Sequence, residues 1–287
     1  MTSNLRGKVC LLTGATRGIG RAAADALARS GLTLVLVGRD AAKVEETVRA
    51  VRAATGQSQV EGLVADLSLS SEVRRLAQEV HQRYSRLDVL INNAGAIFTR
   101  REETVEGREK TLALNHLGYF LLTLELLDLL KASAPSRVVN VASDAHRGMR
   151  LDFGDLENRR NYSGLRVYGQ SKLMNILFTN ELARRLEGTG VTVNALHPGV
   201  VATGFGQNTP GIFRSLIKLA APFMRTPEKG AETLVYLATS PEVEGVTGEY
   251  FQNSKRAVAT PAARSPESAR KLWEASEKLL APGTASA

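Results

Sequence analysis

Two spacings of apolar and polar positions alternate along this chain. Short runs rich in β-branched and aliphatic residues at 8–12, 32–37, 60–65, 87–91, 137–142 and 191–196 predict strands. Between them, apolar residues recur at helical spacing over 21–30, 41–55, 71–84, 105–131 and from Tyr168 to about Leu186. The first helix ends at Gly31, a residue suited to a C-cap. A further helix over 229–239, a last strand over 247–251 and a short amphipathic helix over 268–280 complete the pattern. Strand and helix alternate, which predicts an α/β fold of Rossmann type: a doubly wound parallel sheet with helices on both faces. With no repeat and no second pattern, residues 1–287 read as one domain. Its first part, about 6–145, carries the first five strands, and its second, about 146–280, the rest of the pattern.

In such a sheet, ligands collect beyond the carboxyl ends of the strands, and the polar residues that interrupt the pattern fall there. The first strand runs into Thr13-Gly14-Ala15-Thr16-Arg17-Gly18-Ile19-Gly20. Glycines between a strand and a helix allow a tight turn and close approach of backbone to a pyrophosphate, which the helix N-terminus favours. The spacing, three residues and then one, departs from the common G-x-G-x-x-G arrangement. The second strand ends in Gly38-Arg39-Asp40; Arg39, with Arg17 in reach, suits the 2′-phosphate of NADP, whereas Asp40 would suit the ribose of NAD. Asp66 and Leu67 follow the third strand, where Asp66 is either the edge of an adenine pocket or a helix cap. Asn92-Asn93-Ala94-Gly95 follow the fourth strand, Ser143 the fifth, and His197-Pro198-Gly199 with Thr203 the sixth. Asn115, inside the long apolar helix, calls for a polar partner, which a neighbouring backbone group would also satisfy.

Tyr168 and Lys172 sit four apart at what reads as the start of a helix, and so share a face. A free phenol ionises near about 10, and an adjacent cation would draw that value down toward neutrality. The pair is a candidate proton-transfer device.

Composition alters little. The formal net charge is +8, but the basic residues are interleaved with acids along the helices, as in Arg184-Arg185-Leu186-Glu187, and read as solvated faces rather than a nucleic-acid surface. The single cysteine, Cys10, permits no internal disulfide and suits a reducing compartment. The most apolar window, 112–130, contains Asn115, His116, Glu125 and Asp128, which marks a buried helix rather than a membrane span. A soluble, cytoplasmic protein is expected. His81, His116, His146 and His197 fit no metal-ligand spacing and read as surface or loop residues, with no metal site.

Taken together, Thr13 to Gly20, Asn92 to Gly95, Asn115, Ser143, Tyr168 to Lys172 and Pro198 to Thr203 resemble a short-chain dehydrogenase/reductase over almost the whole chain. Ser143-Asp144-Ala145-His146, Phe153-Gly154-Asp155-Leu156 and Lys271-Leu272-Trp273-Glu274 resemble its retinol-dehydrogenase-like branch, which includes the WW-domain oxidoreductase; neither a WW domain nor an N-terminal apolar anchor is expected here. The resemblance implies hydride transfer between NADP(H) and a carbonyl or alcohol. Tyr168 would then be the general acid/base, and Lys172 would lower its pKa and hold the ribose. Ser143 would bind the carbonyl oxygen, and Asn115 would help hold a water that relays protons. It implies a cofactor site of Gly14, Thr16, Arg17, Gly18, Ile19, Gly20, Arg39, Asp66, Leu67, Asn93, Ala94, Gly95, Tyr168, Lys172, Pro198, Gly199 and Thr203. It also implies a homodimer or homotetramer built on the helices that follow Val105 and Tyr168. The segment 212–224 spaces its apolar residues helically and reads as a lid for an apolar substrate, as a surface helix packed on its own core, or as a membrane-surface helix. The alternative function is a catalytically silent NADP(H)-binding sensor or scaffold. Intact Tyr168 and Lys172 speak against it.

Overall fold

The computed structural model describes residues 5–201 and 225–281. Eight strands form one sheet in the order β3-β2-β1-β4-β5-β6-β7-β8. They are β1 (Val9–Thr13), β2 (Thr33–Gly38), β3 (Val60–Val64), β4 (Val89–Asn92), β5 (Ser136–Val141), β6 (Val191–His197), β7 (Tyr250–Gln252) and β8 (Lys255–Ala257). Every pairing is parallel except β7 with β8. The order reverses at β1, so a crevice opens beyond the carboxyl ends of β1 and β4.

Helices α1 (Gly18–Arg29), α2 (Ala41–Thr55) and α8 (Pro227–Thr239) bury Ala23, Ala24, Leu27, Val48, Leu234 and Leu237 against one face of the sheet. The other face is covered by α3 (Ser70–Arg83), by a broken helix and by α7 (Gly164–Arg185). The apolar central strands, buried on both sides, explain why runs such as Val9 to Thr13 show no alternation.

The long helix expected over 105–131 is four pieces. It runs as α4 (Lys110–Leu112), a π-helical turn (Ala113–Leu117), α5 (Gly118–Glu125) and α6 (Leu127–Ala132). Gly107, at φ +75°, keeps the preceding residues in a turn, and Glu109 starts the helix by accepting from the N–H groups of Thr111 (2.8 Å) and Leu112 (2.7 Å). The helix expected to begin at Tyr168 begins at Gly164, so Tyr168 lies inside it. The last strand is shorter than expected and turns through Asn253 and Ser254, both at positive φ, into β8.

The C-terminal helix α9 (Pro266–Leu280) lies on α5 and α7. Trp273, 5% exposed, packs 4.8 Å from the Phe120 ring and 6.1 Å from that of Phe178. Phe120 and Phe178, on the helices that follow Val105 and Tyr168, are thus covered by the chain's own C-terminal helix. The charged residues lie as expected: Arg184 and Arg185 pair with Glu181, Arg75 with Glu72 and Glu79, and Arg49 with Glu45. None of the described helices is long and apolar enough to cross a membrane.

Candidate active site

The glycine turn lies at the carboxyl end of β1, bolted to the end of β4. The Thr13 hydroxyl accepts from the N–H groups of Asn93 (2.8 Å) and Ala94 (3.1 Å) and donates to the Ile91 carbonyl (3.1 Å). Asn93 Nδ2 donates to the carbonyls of Thr13 (2.8 Å) and Gly14 (3.2 Å). Gly14 and Gly18 hold positive φ, +67° and +55°. A Cβ on Gly20 would lie 2.3 Å from the Gly14 carbonyl oxygen, so the helix meets the turn at van der Waals limits. Arg17 is the N-cap of α1, and its side chain makes no capping hydrogen bond there. Thr16 touches the end of β2 at Gly38. Arg17 and Arg39 are exposed there, and neither guanidinium has a partner among the described residues. Asp40, the competing acid, is engaged as the N-cap of α2: it accepts from Lys43 N at 3.1 Å and pairs with Lys43 Nζ.

Beside this turn, at the end of β5, the structure brings together Asn115, Ser143, Tyr168 and Lys172. Ser143 heads a single 3-10 turn (Asp144–His146) and accepts from Ala145 N at 3.1 Å. Its side chain also faces the Tyr168 phenol and acts to lower its pKa. Gly169, next to Tyr168, makes this approach possible, because a Cβ there would sit 2.6 Å from the Ala145 carbonyl oxygen. Lys172 is 2% exposed; its Nζ donates to the Val141 carbonyl (3.0 Å) and lies 5.5 Å from the Tyr168 ring centroid. Asn115 pairs with the Ala96 backbone in both directions (2.9 Å each) and donates to Ser171 Oγ (3.0 Å), which donates to the Tyr168 carbonyl (2.7 Å). The π-helical turn is what aims Asn115 at this contact. Gly95 completes the group, its Cα face turned to Asn115 Oδ1 and Lys172 Nζ.

The electrostatics differ from the expectation. Burial holds the Tyr168 phenol well above its ordinary value, and the Ser143 side chain offsets this only in part. Burial likewise brings the Lys172 ammonium down, to about 7. In this packing, desolvation outweighs the attraction of phenolate and ammonium, and Tyr168 is held protonated.

Asp66 accepts from Ser68 N (3.0 Å) and Ser68 Oγ (2.7 Å), tightening the turn ahead of α3 without capping the helix itself. Leu67 is buried, with its carbonyl against Gly118. Pro198 and Gly199, the latter at φ +87°, end β6. Thr203 and the segment 212–224 lie outside the described residues. Three of the four histidines are not surface residues: His116, His146 and His197 are all buried, and His81 is exposed. No group of three or more potential metal ligands occurs among the described residues. Sequence reasoning also missed Glu106, whose carboxylate caps α3 from a distant loop by accepting from the N–H and hydroxyl groups of Ser70 and Ser71.

A doubly wound sheet with a glycine turn at its switch point, and a Ser–Tyr–Lys cluster two strands away at the end of β5, defines a nucleotide-dependent oxidoreductase. The family model described as short chain dehydrogenase matches residues 8–210, and the chain belongs to that family. Curated relatives include retinol dehydrogenase 14 of Mus musculus, 45% identical over 96% of this chain and 86% of the relative. Retinol dehydrogenase 12 of Homo sapiens is 42% identical over 96% and 87%. Among solved structures, an uncharacterised protein of Mycobacterium paratuberculosis superposes with a TM-score of 0.79 at 32% identity, over 97% of this chain and 95% of that one. Pseudomonas aeruginosa RhlG, solved as an active-site complex with NADP, superposes with a TM-score of 0.70 at 29% identity over 86% and 95%. Membership makes the chain an oxidoreductase of alcohol and carbonyl groups.

Proposed function

We propose that the protein is an NADP(H)-dependent oxidoreductase that interconverts an apolar aldehyde or ketone and its alcohol. The observation that carries this reading is the meeting of Ser143, Tyr168 and Lys172 beside the glycine turn. The residues at the crevice suit the cofactor: an α1 N-terminus that the Arg17 side chain does not cap for the pyrophosphate, and the guanidiniums of Arg17 and Arg39, without a partner among the described residues, for a 2′-phosphate. Asp40 is already committed to capping α2. When bound, NADP(H) supplies or accepts the hydride. Asn93, Ala94, Gly95, Pro198 and Gly199 would hold it at the strand ends, and Lys172 would hold its ribose hydroxyls.

In reduction, the Tyr168 phenol, kept protonated by burial, gives its proton to the carbonyl oxygen, and in oxidation the phenolate recovers it. Ser143 Oγ steadies that oxygen as charge builds on it. Lys172 is positioned to stabilise the phenolate once it forms, and Asn115, tied to Ser171, supports the same helix turn. The names of the relatives put retinal and retinol first among substrates to try, and the homologues solved with NADP support that cofactor. The expectations of a cytoplasmic protein and of a homo-oligomer belong to this reading; sedimentation of the purified chain tests the second.

The test is NADPH oxidation, followed by absorbance, against retinal and a panel of medium-chain aldehydes and ketones, with Tyr168→Phe alongside. Turnover should fall by about a hundredfold or more in the variant while NADPH binding persists. Binding of NADPH by the unaltered chain without turnover of any carbonyl would favour the sensor or scaffold instead.

A further inference from the structure

The peptide unit that follows Ser143 is gripped by two buried imidazoles, one on each side. Its carbonyl, that of Ser143, accepts from His146 Nδ1 at 2.7 Å and from the His146 backbone N–H at 3.1 Å. Its N–H, that of Asp144, donates to His197 Nδ1 at 3.2 Å. His146 has no exposed surface, and His197 is 5% exposed. The partners fix both tautomers. A carbonyl only accepts, so His146 carries its proton on Nδ1; its bare Nε2 accepts from Thr260 N at 3.3 Å. A backbone N–H only donates, so His197 Nδ1 is bare and its proton sits on Nε2, 3.8 Å from Asp144 Oδ2. Two imidazoles of opposite tautomer therefore hold the donor and the acceptor of one peptide.

The surroundings reinforce the grip. The His146 ring packs edge-on against Tyr250, centroids 5.4 Å apart, and Tyr250 Oη donates to Asp144 Oδ1 at 3.1 Å. Gln252 Nε2 donates to Asp144 Oδ2 at 3.5 Å, and Arg147 Nε to Asp144 Oδ1 at 3.1 Å. The β6 end, β7 and the segment leading to α9 thus all converge on the turn that presents the Ser143 hydroxyl.

We propose that His146 and His197 are positioning residues that clamp the Ser143–Asp144 peptide and so aim the Ser143 hydroxyl at the substrate oxygen. The inference rests on the role given to Ser143 above. Fixing the plane of this peptide fixes the Ser143 ψ angle and so the direction of its Cα–Cβ bond, from which the Ala145 N–H, donating to Oγ at 3.1 Å, holds the hydroxyl in place. A proton added to His197 Nδ1 expels the Asp144 donor and breaks that side of the clamp; one added to His146 Nε2 leaves the Ser143 contact but expels the Thr260 donor that orients the ring. The charged and titratable groups facing the pair are Asp144, Arg147 and Tyr250 around His146, and Asp144, Arg225, His146 and Arg147 around His197. Acidification should therefore lower kcat as the rings charge.

The test uses His146→Asn, whose amide nitrogen falls where Nδ1 was, and His146→Phe, which keeps a ring but no donor. His197→Asn, whose amide oxygen replaces the Nδ1 acceptor, and His197→Phe form the second pair. Each Asn variant should keep kcat within about threefold of the unaltered chain, and each Phe variant should lose about tenfold or more, a misplacement effect. KM and NADPH affinity should stay within about twofold, and the acid limb of the kcat profile should move in all four. A folded Phe variant with unchanged kcat, or an Asn variant as impaired as Phe, overturns the clamp. Imidazole nitrogen NMR on the unaltered protein supplies a readout independent of turnover and of variant folding: His146 should be the Nδ1–H tautomer and His197 the Nε2–H tautomer. Any other assignment overturns the clamp. Absence of turnover in the unaltered chain overturns the catalytic reading instead, and the clamp is then judged on the tautomers.

Discussion

Gly20→Ala tests how the glycine turn is built. In an ordinary helix interior this change stabilises by about 1 kcal/mol, since alanine is the better helix former. Here the new Cβ would stand 2.3 Å from the Gly14 carbonyl oxygen, 2.6 Å from Asn93 Nδ2 and 3.0 Å from the Gly14 carbonyl carbon. Ordinary contact begins at 3.4 Å, so the Gly14 carbonyl must retreat by about 1.1 Å, the difference between 3.4 and 2.3 Å. That carbonyl cannot swing away cheaply. Gly14 is held at positive φ, its own missing Cβ lies against Ala94 Cα at 2.7 Å, and Asn93 grips its oxygen. Overpacking of this kind costs about 1–3 kcal/mol, which cancels or reverses the propensity gain. The net expectation is a Tm unchanged or lowered by a few degrees, at about 2–4 °C per kcal/mol. NADPH affinity, which depends on the path of the turn, should fall by about tenfold or more. Thermal unfolding and NADPH fluorescence titration of the same preparations measure both quantities. A variant that gains the full helix-propensity stabilisation and binds NADPH unchanged would refute the packing argument.

Other expected outcomes follow from single contacts. Trp273→Ala removes a side chain packed against Phe120 and Phe178 and covered by the Arg185 guanidinium at 4.1 Å; it should cost about 3–5 kcal/mol, read by denaturant unfolding, and a loss under 1 kcal/mol would mean that α9 is only loosely docked. Lys172→Met should abolish turnover yet raise the Tm of the cofactor-free protein at pH 6, because burial lowers the folded-state pKa of Lys172 to about 7 and the folded state must carry an unfavourable buried charge below that value. The unfolded chain binds the extra proton between about pH 7 and the usual lysine value of about 10.4, so stability of the unaltered protein rises with pH across that window and the advantage of the variant fades. Glu106→Gln should cost about 1 kcal/mol at neutral pH; although burial opposes ionisation, four hydrogen bonds from Ser70 and Ser71 hold the carboxyl below its ordinary 4.5. Its stabilisation is present above that ordinary value and is lost as pH falls through the lower folded-state pKa, so unfolding curves of the two proteins should converge in acid.

The order of strands and helices was legible in the sequence because each element buries a continuous face and the spacing of apolar residues records that burial. The glycine turn was legible because only glycine tolerates the positive φ of residues 14 and 18 and the contact at residue 20. Tyr168 and Lys172 share a face by helix geometry alone, so their meeting needed no tertiary information. What the sequence could not carry depends on groups far apart along the chain. The break in the helix after Val105 serves a hydrogen bond between Asn115 and the Ala96 backbone. The cap on α3 comes from Glu106, some 36 residues downstream of Ser70. The direction of the Tyr168 pKa was misread because spacing reveals a neighbouring charge but not how much water is excluded, and exclusion of water dominates here. The same gap hid the histidines. Polar residues in a loop-like stretch look solvated until the fold lays β6, β7 and the chain after β8 over them, and only that enclosure turns His146 and His197 from loop residues into fixed partners of one peptide.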